Sequence, residues 1–397
     1  MAETDVLIVG GGAVGNVIAK GLLTHTSLSV SLVEPSQYSV DGSHPGFDDR
    51  VIALAKRTVD ELAELGVDTR LAGGVPIRHI QVTDQGAAGM CQMDANAHNL
   101  DRFGDVVSLS RLGLALRVEP NMPRFTLYCP ASVASVTRNS DSAHVTLSSG
   151  DSCHAKLIVL ADGGRSALHE SLGFERQSED YGQSAIIVNA ITAEPHHHRA
   201  YERFTAQGPL AFLPFNPGFD ETRGEHGFSV VWTVPPDRAD ALLTAPDSIF
   251  IRALQDEFGW RQGAIEQIGK RAVYPLALST VKNVVVHRAV ACGNASQTLH
   301  PIAGQGFNLG LRDAMGLVRA LQHASDPGAF DVLRQYAQAR AADKEATITL
   351  TDGLVRLFSN KNPGLMALRN LGLVAMDNSR ALKQQFVRQT TGYAPGA

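Results

Sequence analysis

Apolar residues in this chain fall into short unbroken runs separated by stretches with helical spacing, the pattern of strands joined by helices. Asp5 to Val9 is a run of strand type, the segment up to about Thr24 is helical, and a second run from Leu28 to Val33 ends in Glu34. A polar loop from Pro35 to Asp49 follows. Apolar positions then recur at helical spacing from Val51 to Leu65, with Gly66 as the stop. Ile77 to Thr83 and Gly89 to Met93 read as strands, and Leu109 to Val118 as a helix carrying Arg111. Phe125 to Tyr128, Val133 to Arg138 and Val145 to Leu147 read as a β-meander, with a turn at Ser148-Ser149-Gly150-Asp151. Leu157 to Ala161 is apolar at every position, as in a strand buried on both faces of a parallel sheet.

From Tyr181 to Val234 the pattern alternates. Ser184 to Ala190, Ala200 to Phe204, Leu210 to Pro214 and Gly227 to Thr233 predict a second, antiparallel sheet, which can rest one face on a core and offer the other to a ligand. Asp237 to Phe258 reads as helices and Ala272 to Leu278 as a strand. Ala289 to Cys292 is a third buried strand, and a helix runs on to about Gln322. From Ala329 the chain is helical, with a break near Lys361-Asn362-Pro363-Gly364. Its mix of apolar residues with Arg356, Arg369, Arg380 and Lys383 suits either a membrane surface or, as expected here, packing on its own domain.

Composition narrows the class. Of 397 residues, 44% are hydrophobic and 19% charged, enough to build a sizeable core. A net charge of −5 without a basic stripe argues against nucleic acid as a partner. Cys91, Cys129, Cys153 and Cys292 form no C-x-x-C pair, so a reducing compartment and no zinc site are expected. His196-His197-His198 reads as a surface turn rather than a metal site. Glu3, Thr4 and Asp5 stand where a signal peptide would be basic, and no apolar run reaches the roughly 18 residues of a membrane span. A cytoplasmic protein is expected, at most peripheral to the inner membrane.

The chemistry concentrates at the first strand. Gly10-Gly11-Gly12-Ala13-Val14-Gly15 separates that strand from its helix, and Glu34 ends the next strand. This order is the dinucleotide-binding fingerprint. Gly10 allows the sharp turn, Gly12 leaves room for a pyrophosphate and Gly15 lets helix and sheet approach. The acid suits two free ribose hydroxyls, as in FAD or NAD. Arg50 can face the pyrophosphate or simply be solvated. Asp162-Gly163 lies at a strand's C-terminal end, where α/β sheets bind ligands, although the spacing alone favours a helix cap. Gly304 and Gly306 precede a second helix whose N-terminus can meet a ligand.

These stretches together resemble the class A flavoprotein aromatic hydroxylases of the para-hydroxybenzoate hydroxylase type. The blocks His44-Pro45-Gly46-Phe47-Asp48-Asp49-Arg50-Val51-Ile52-Ala53-Leu54, Glu202-Arg203-Phe204-Thr205 with Gly208-Pro209-Leu210-Ala211, Arg271 to Leu278, and Gly293 to Pro301 resemble the ubiquinone-biosynthesis branch. The resemblance implies an α/β fold. A Rossmann-like FAD-binding domain (1–180 and 283–325) is interleaved with an antiparallel-sheet substrate domain (181–282) and followed by a helical region (326–397). It implies FAD held by Gly10, Gly12, Ala13, Gly15 and Glu34, with Arg50 and Arg111 on its phosphates. Asp162 and Gly163 would touch both FAD and transient NAD(P)H, and Pro301, Gly304, Gln305, Gly306 and Asn308 would lie beside the flavin ring. Asn294 replaces the Asp that the wider class uses on the ribityl chain; it keeps an acceptor and loses the charge.

The implied activity is O₂-dependent hydroxylation of a polyprenylated methoxyphenol, with water excluded by the apolar sheet face and the loop from Pro301. A quinone-biosynthesis protein assembly and a peripheral membrane contact are the partners it suggests. A flavin reductase of the same fold, hydroxylation of a neighbouring ring carbon, and a non-catalytic cofactor-binding subunit are the alternatives. Tyr274 and His300 are the candidates for a base on the phenol, each with a structural role as its alternative.

Overall fold

The computed structural model describes residues 2–38, 50–218, 221–358 and 363–394. The motif residues His44 to Asp49, the Pro35 to Asp49 loop beyond position 38 and the break at Lys361-Asn362 lie outside them.

Strands β1 (Ala2–Val9) and β2 (Val30–Val33) pair in parallel, joined by helix α1 (Ala13–His25). A parallel pair requires such a crossover. Val17, Ile18 and Leu22 bury the helix against the sheet. Helical periodicity had suggested a helix from Val51. Instead β3 (Val51–Ala55) is a strand, and α2 (Lys56–Glu64) begins only at Lys56. The run VIALA gains a full antiparallel partner, so tertiary pairing overrides the local period. That partner is β7 (Gly104–Ser108). Between them lie β4 (Val75–Ile77), which also pairs with β7, and β5 (His79–Asp84) and β6 (Met90–Asp94).

After α3 (Leu109–Leu116), β8 (Phe125–Tyr128) pairs in parallel with β2, with Val30 opposite Phe125. It therefore extends the nucleotide sheet and is not part of the expected meander. The meander consists of β9 (Val133–Arg138), β10 (Ala143–Leu147) and β11 (Ser152–Leu160). β11 also runs parallel to β1, so its Leu157 to Leu160 segment is buried on both faces, as its apolar run predicts.

The chain leaves through the short α4 (Leu168–Ser171) and the long β12 (Arg176–Thr192) into a second sheet. β13 (Arg199–Phe204), β14 (Pro209–Pro214) and β15 (Gly227–Val234) follow, then α5 (Pro236–Thr244), α6 (Asp247–Phe258), β16 (Ile265–Ile268) and β17 (Ala272–Val281). This nine-stranded sheet also takes in β5 and β6, which pair beside β13. One face is a core in which Tyr201, Phe212, Phe228 and Trp232 pack against Phe250 and Phe258 from α6. Strand alternation turns Ala200, Glu202, Phe204, Ala211, Leu213 and Val231 to the opposite face. The histidine run does form the turn before β13, with left-handed backbone at His197 and His198, but His196 is buried against Phe228 rather than exposed.

β18 (Val285–Val286) and β19 (Ala289–Ala291) return the chain to the first sheet, and β20 (Gln297–Thr298) pairs with β17. α7 (Gln305–Leu321) packs on α1. α8 (Phe330–Phe358), α9 (Pro363–Asn378) and α10 (Arg380–Thr391) complete the chain. The tail packs on its own chain. Arg312 and Arg340 pair with Asp343 and Asp313 to join α7 to α8, Arg369 of α9 pairs with Asp84 of β5, and Arg57 of α2 donates to the Gly392 carbonyl. No helix among the described residues is long and apolar enough to cross a membrane.

Candidate active site

The C-terminal ends of β1, β2 and β11 meet at the mouth of a cavity of about 1130 Å³, which runs past the free face of the second sheet to the C-terminal helices. Gly10 turns there with φ 109°, and a Cβ on it would lie 2.6 Å from the Ala161 oxygen and 2.8 Å from Asp162 Cα, both fixed backbone atoms. Gly12, by contrast, faces open space: nothing lies within 4 Å of an added Cβ. A Cβ on Gly15 would sit 1.9 Å from the Gly10 oxygen, so only glycine lets α1 begin this close to the turn. Gly12 caps α1 without a side-chain hydrogen bond, which leaves first-turn N–H groups for an anion. Glu34 is buried; its Oε2 accepts from Gly11 N at 2.7 Å and its Oε1 from Ser36 N at 2.8 Å. These bonds fix the orientation of the carboxylate at the end of β2.

The two expected phosphate cations separate. Arg50 is on the cavity wall, directly before β3, with its guanidinium carbon 5.5 Å from the Tyr274 ring centroid. Arg111 is off the wall, on the exposed side of α3 against Gly73. Asp162 lines the cavity together with Gly163 and also caps its own turn: Oδ1 accepts from Gly164 N at 2.9 Å, and Oδ2 accepts from Ser166 N at 2.9 Å and from the Ser166 hydroxyl. Asn294 lies exposed at the cavity wall.

The far wall is the segment 301–306. Ala303 and Gly304 both take left-handed backbone, φ 54° and 61°, which turns the chain sharply into α7. Asn308 holds that turn. Its Oδ1 accepts from Ala55 N at 2.7 Å, and its Nδ2 donates to the Ala53 and Gly304 oxygens at 2.9 and 2.7 Å. Gln305 Nε2 donates to the Ala303 and Thr390 oxygens. Both side chains therefore act as framework, while Pro301, Gly304 and Gly306 offer backbone to the cavity.

Of the two candidate bases, Tyr274 is on the wall and His300 is not. His300 is fully buried behind the loop. Its Nδ1 accepts from Ile302 N at 3.1 Å, its Nε2 has no hydrogen-bond partner, its ring meets Tyr181 edge-on, and burial pushes its pKa down to about 4. It is a neutral packing residue at ordinary pH.

Sequence reasoning did not single out Glu202 as a site residue. It projects into the cavity from β13, and burial alone pushes its carboxyl up to about 7. The signal was present: in Ala200, Glu202 and Phe204 a carboxylate occupies an inward position of an otherwise apolar alternation. The contribution of Leu354, Leu357, Leu373, Met376 and Phe386 from α8 to α10 was not legible either.

The residues present fit FAD. An open glycine cradle, an uncapped helix start and an acid oriented by Gly11 and Ser36 meet its ADP moiety, and two glycines at the head of α7 offer backbone to its ring. The cavity, at about 1130 Å³, is above the roughly 300–1,000 Å³ usual for a single small ligand, which leaves room for a second molecule.

Comparison with known proteins agrees. The family model described as FAD binding domain matches residues 3–351. The chain is 35% identical over 401 residues to the ubiquinone hydroxylase UbiL of Rhodospirillum rubrum, covering 98% of this chain and 89% of that one. It is 30% identical over 399 residues to the 3-demethoxyubiquinol 3-hydroxylase of Escherichia coli, covering 98% of each. Among solved structures, p-nitrophenol 4-monooxygenase PnpA of Pseudomonas putida shares the fold with a TM-score of 0.77 at 17% identity, over 98% of this chain and 99% of that one. With its cradle intact and its relatives matched over most of their length, the chain belongs to the FAD binding domain family and is a flavoprotein monooxygenase.

Proposed function

We propose that this chain uses FAD, NAD(P)H and O₂ to hydroxylate a polyprenylated methoxyphenol of ubiquinone biosynthesis. The observation that carries this reading is the continuity of one cavity from the glycine cradle, along an apolar sheet face, to apolar side chains of the C-terminal helices. Gly10, Gly12, Ala13, Gly15 and Glu34 would hold the ADP moiety with Arg50 beside the phosphates. Asp162, Gly163, Asn294, Pro301, Gly304 and Gly306 would border the rest of the cofactor, positioned by Gln305 and Asn308. Bound FAD would supply the redox chemistry, hydride acceptance from NAD(P)H and O₂ activation. The protein positions the ring and excludes water, and the walls formed by Ile187, Phe204, Leu213 and Ile302 suit that task. Leu354, Leu357 and Met376 continue the apolar lining and suit a prenyl tail. Met366, Leu371 and Val374 are exposed on α9, which favours peripheral contact with the membrane that holds such a substrate, or with other quinone-pathway proteins.

The test is the visible spectrum of the purified protein, followed by NAD(P)H-driven O₂ uptake with a short-prenyl methoxyphenol and mass analysis of the product. Flavin bands with substrate-stimulated uptake and a product heavier by one oxygen are expected. Flavin without O₂ consumption would replace this reading with a reductase.

A further inference from the structure

Glu202 is the one carboxylate of the second sheet that lines the cavity, among the described residues; Asp84, on the same face, is taken up by Arg369. Its surroundings follow from register. Across the sheet it lies between Val82 of β5 and Ala211 of β14, and the row continues through Val231 and Ile187. Two residues along β13, roughly 7 Å away by strand rise, Phe204 packs against Ile302 of the loop expected beside the flavin ring. Two residues the other way, Ala200 packs with Val51 of β3 and Leu373 of α9. Glu202 thus stands at the middle of the cavity face, between the Phe204–Ile302 contact and the Ala200–Leu373 contact. No hydrogen-bond or ionic partner meets its carboxylate among the described residues. The other charged groups on the wall are occupied: Glu34 and Asp162 by backbone N–H groups, Arg369 by Asp84, Arg50 against Tyr274; Arg165 sits beyond the Asp162 turn. A lone carboxylate in an apolar wall costs stability and is retained where a ligand supplies its partner.

We propose that Glu202 is the residue that binds the ring hydroxyl of the phenol substrate and removes its proton. The proposal rests on the reading of the protein as a phenol hydroxylase. The phenol O–H bond breaks, its electron pair stays on the phenolate oxygen, and the proton forms a new O–H on the Glu202 carboxylate. The phenolate then pushes electron density onto the ring carbon that receives one oxygen atom of O₂. The ring loses the proton from that carbon, and its oxygen takes back the proton held by Glu202. The second oxygen leaves as water; the proton lost from carbon, the hydride of NAD(P)H, which carries the two electrons, and one proton from solvent together supply the hydrogens of the new hydroxyl and of the water. A carboxyl poised near neutrality is suited to both directions of transfer.

The test compares wild type, Glu202→Gln and Glu202→Asp, each loaded with FAD, on a short-prenyl 2-methoxyphenol. Two readouts are used: kcat/KM against pH, and the ultraviolet difference spectrum of the bound phenol, which reports phenolate without turnover. Wild type is expected to show an acid limb and a phenolate band that grows with pH. Glu202→Gln should lose both, with kcat/KM down about 100-fold or more, at unchanged FAD content. If Glu202→Gln does not hold FAD, Glu202→Asp decides: a retained acid limb with lowered kcat supports the assignment, and an unaltered rate overturns it. Glu202→Gln with kcat/KM within threefold of wild type and the same phenolate band also overturns it. Wild type that binds and oxidises no phenol overturns the hydroxylase reading itself, and this assignment with it.

Discussion

Glu34 and Glu202 are the same residue type in opposite situations. Glu34 accepts two backbone N–H bonds, while burial raises Glu202 to about 7 with no partner to offset it. Glu34→Gln puts an amide N–H against Gly11 N or Ser36 N and removes the acceptor for a ribose hydroxyl. FAD affinity should fall about 10- to 100-fold, corresponding to roughly 1.4–2.8 kcal/mol, as measured by titrating apoprotein with FAD. Glu202→Gln should act oppositely on stability. The folded carboxyl binds its proton more tightly than the unfolded one, which has a pKa of 4.5, so its contribution is full below 4.5 and is lost as pH rises towards about 7. Above pH 7 Glu202→Gln should therefore melt higher than wild type, and near pH 4.5 the two should coincide. Equal melting curves at both pH values would contradict the burial of this carboxyl.

At the scale of elements, the site depends on where α7 begins. Asn308 pins its first turn to β3, and at mid-length Arg312 and Asp313 lock it to α8 through Asp343 and Arg340. All four charges are buried. Burial raises the Asp343 pKa, but the two guanidinium groups outweigh it and hold the group below its usual 3.8. The stabilisation it brings is present above pH 3.8 and lost as pH falls through the lower folded value. Asp343→Ala leaves two buried guanidinium groups short of a partner and should cost about 3–5 kcal/mol, seen as a lower urea midpoint at pH 7. Because α7 carries the loop at 301–306, FAD retention should weaken in the same variant.

The whole molecule is built so that elements distant in sequence share one chamber. α9 closes it by way of the Arg369–Asp84 pair, with Leu373 and Met376 turned inward while Leu371 and Val374 face outward. If α9 rests on a lipid surface, Leu371→Asp with Val374→Asp should abolish co-sedimentation with anionic vesicles. FAD content and turnover of a short-prenyl substrate should stay unchanged, since neither side chain lines the cavity. Wild type that does not sediment with vesicles or co-purify with quinone-pathway proteins would remove the peripheral role.

The dinucleotide cradle was legible because it is local. Strand, turn, helix, strand and acid occupy one continuous stretch, and Gly15 meets the Gly10 oxygen within it, although what forbids a side chain on Gly10 is Ala161 and Asp162 of the neighbouring strand end. The alternation of β12 to β15 was readable for the same reason. Long-range pairing decided the rest. Val51–Ala55 has helical spacing but is a strand, because Gly104–Ser108 offers it a ladder. Phe125–Tyr128 joins β2 rather than the meander after it. Arg50 and Arg111 are equivalent as cations in the sequence, and only the packing of β3 and α3 puts one on the wall and the other off it. Asn308, expected beside the flavin ring, lines the cavity and in addition clamps Ala55, 253 positions away, which the sequence does not show. Glu202 acquires its meaning only when β5 and β14 are laid on either side of it. Local sequence determines which backbone conformations are cheap, whereas the cavity is a property of which faces meet, and that is settled by burial summed over the whole chain.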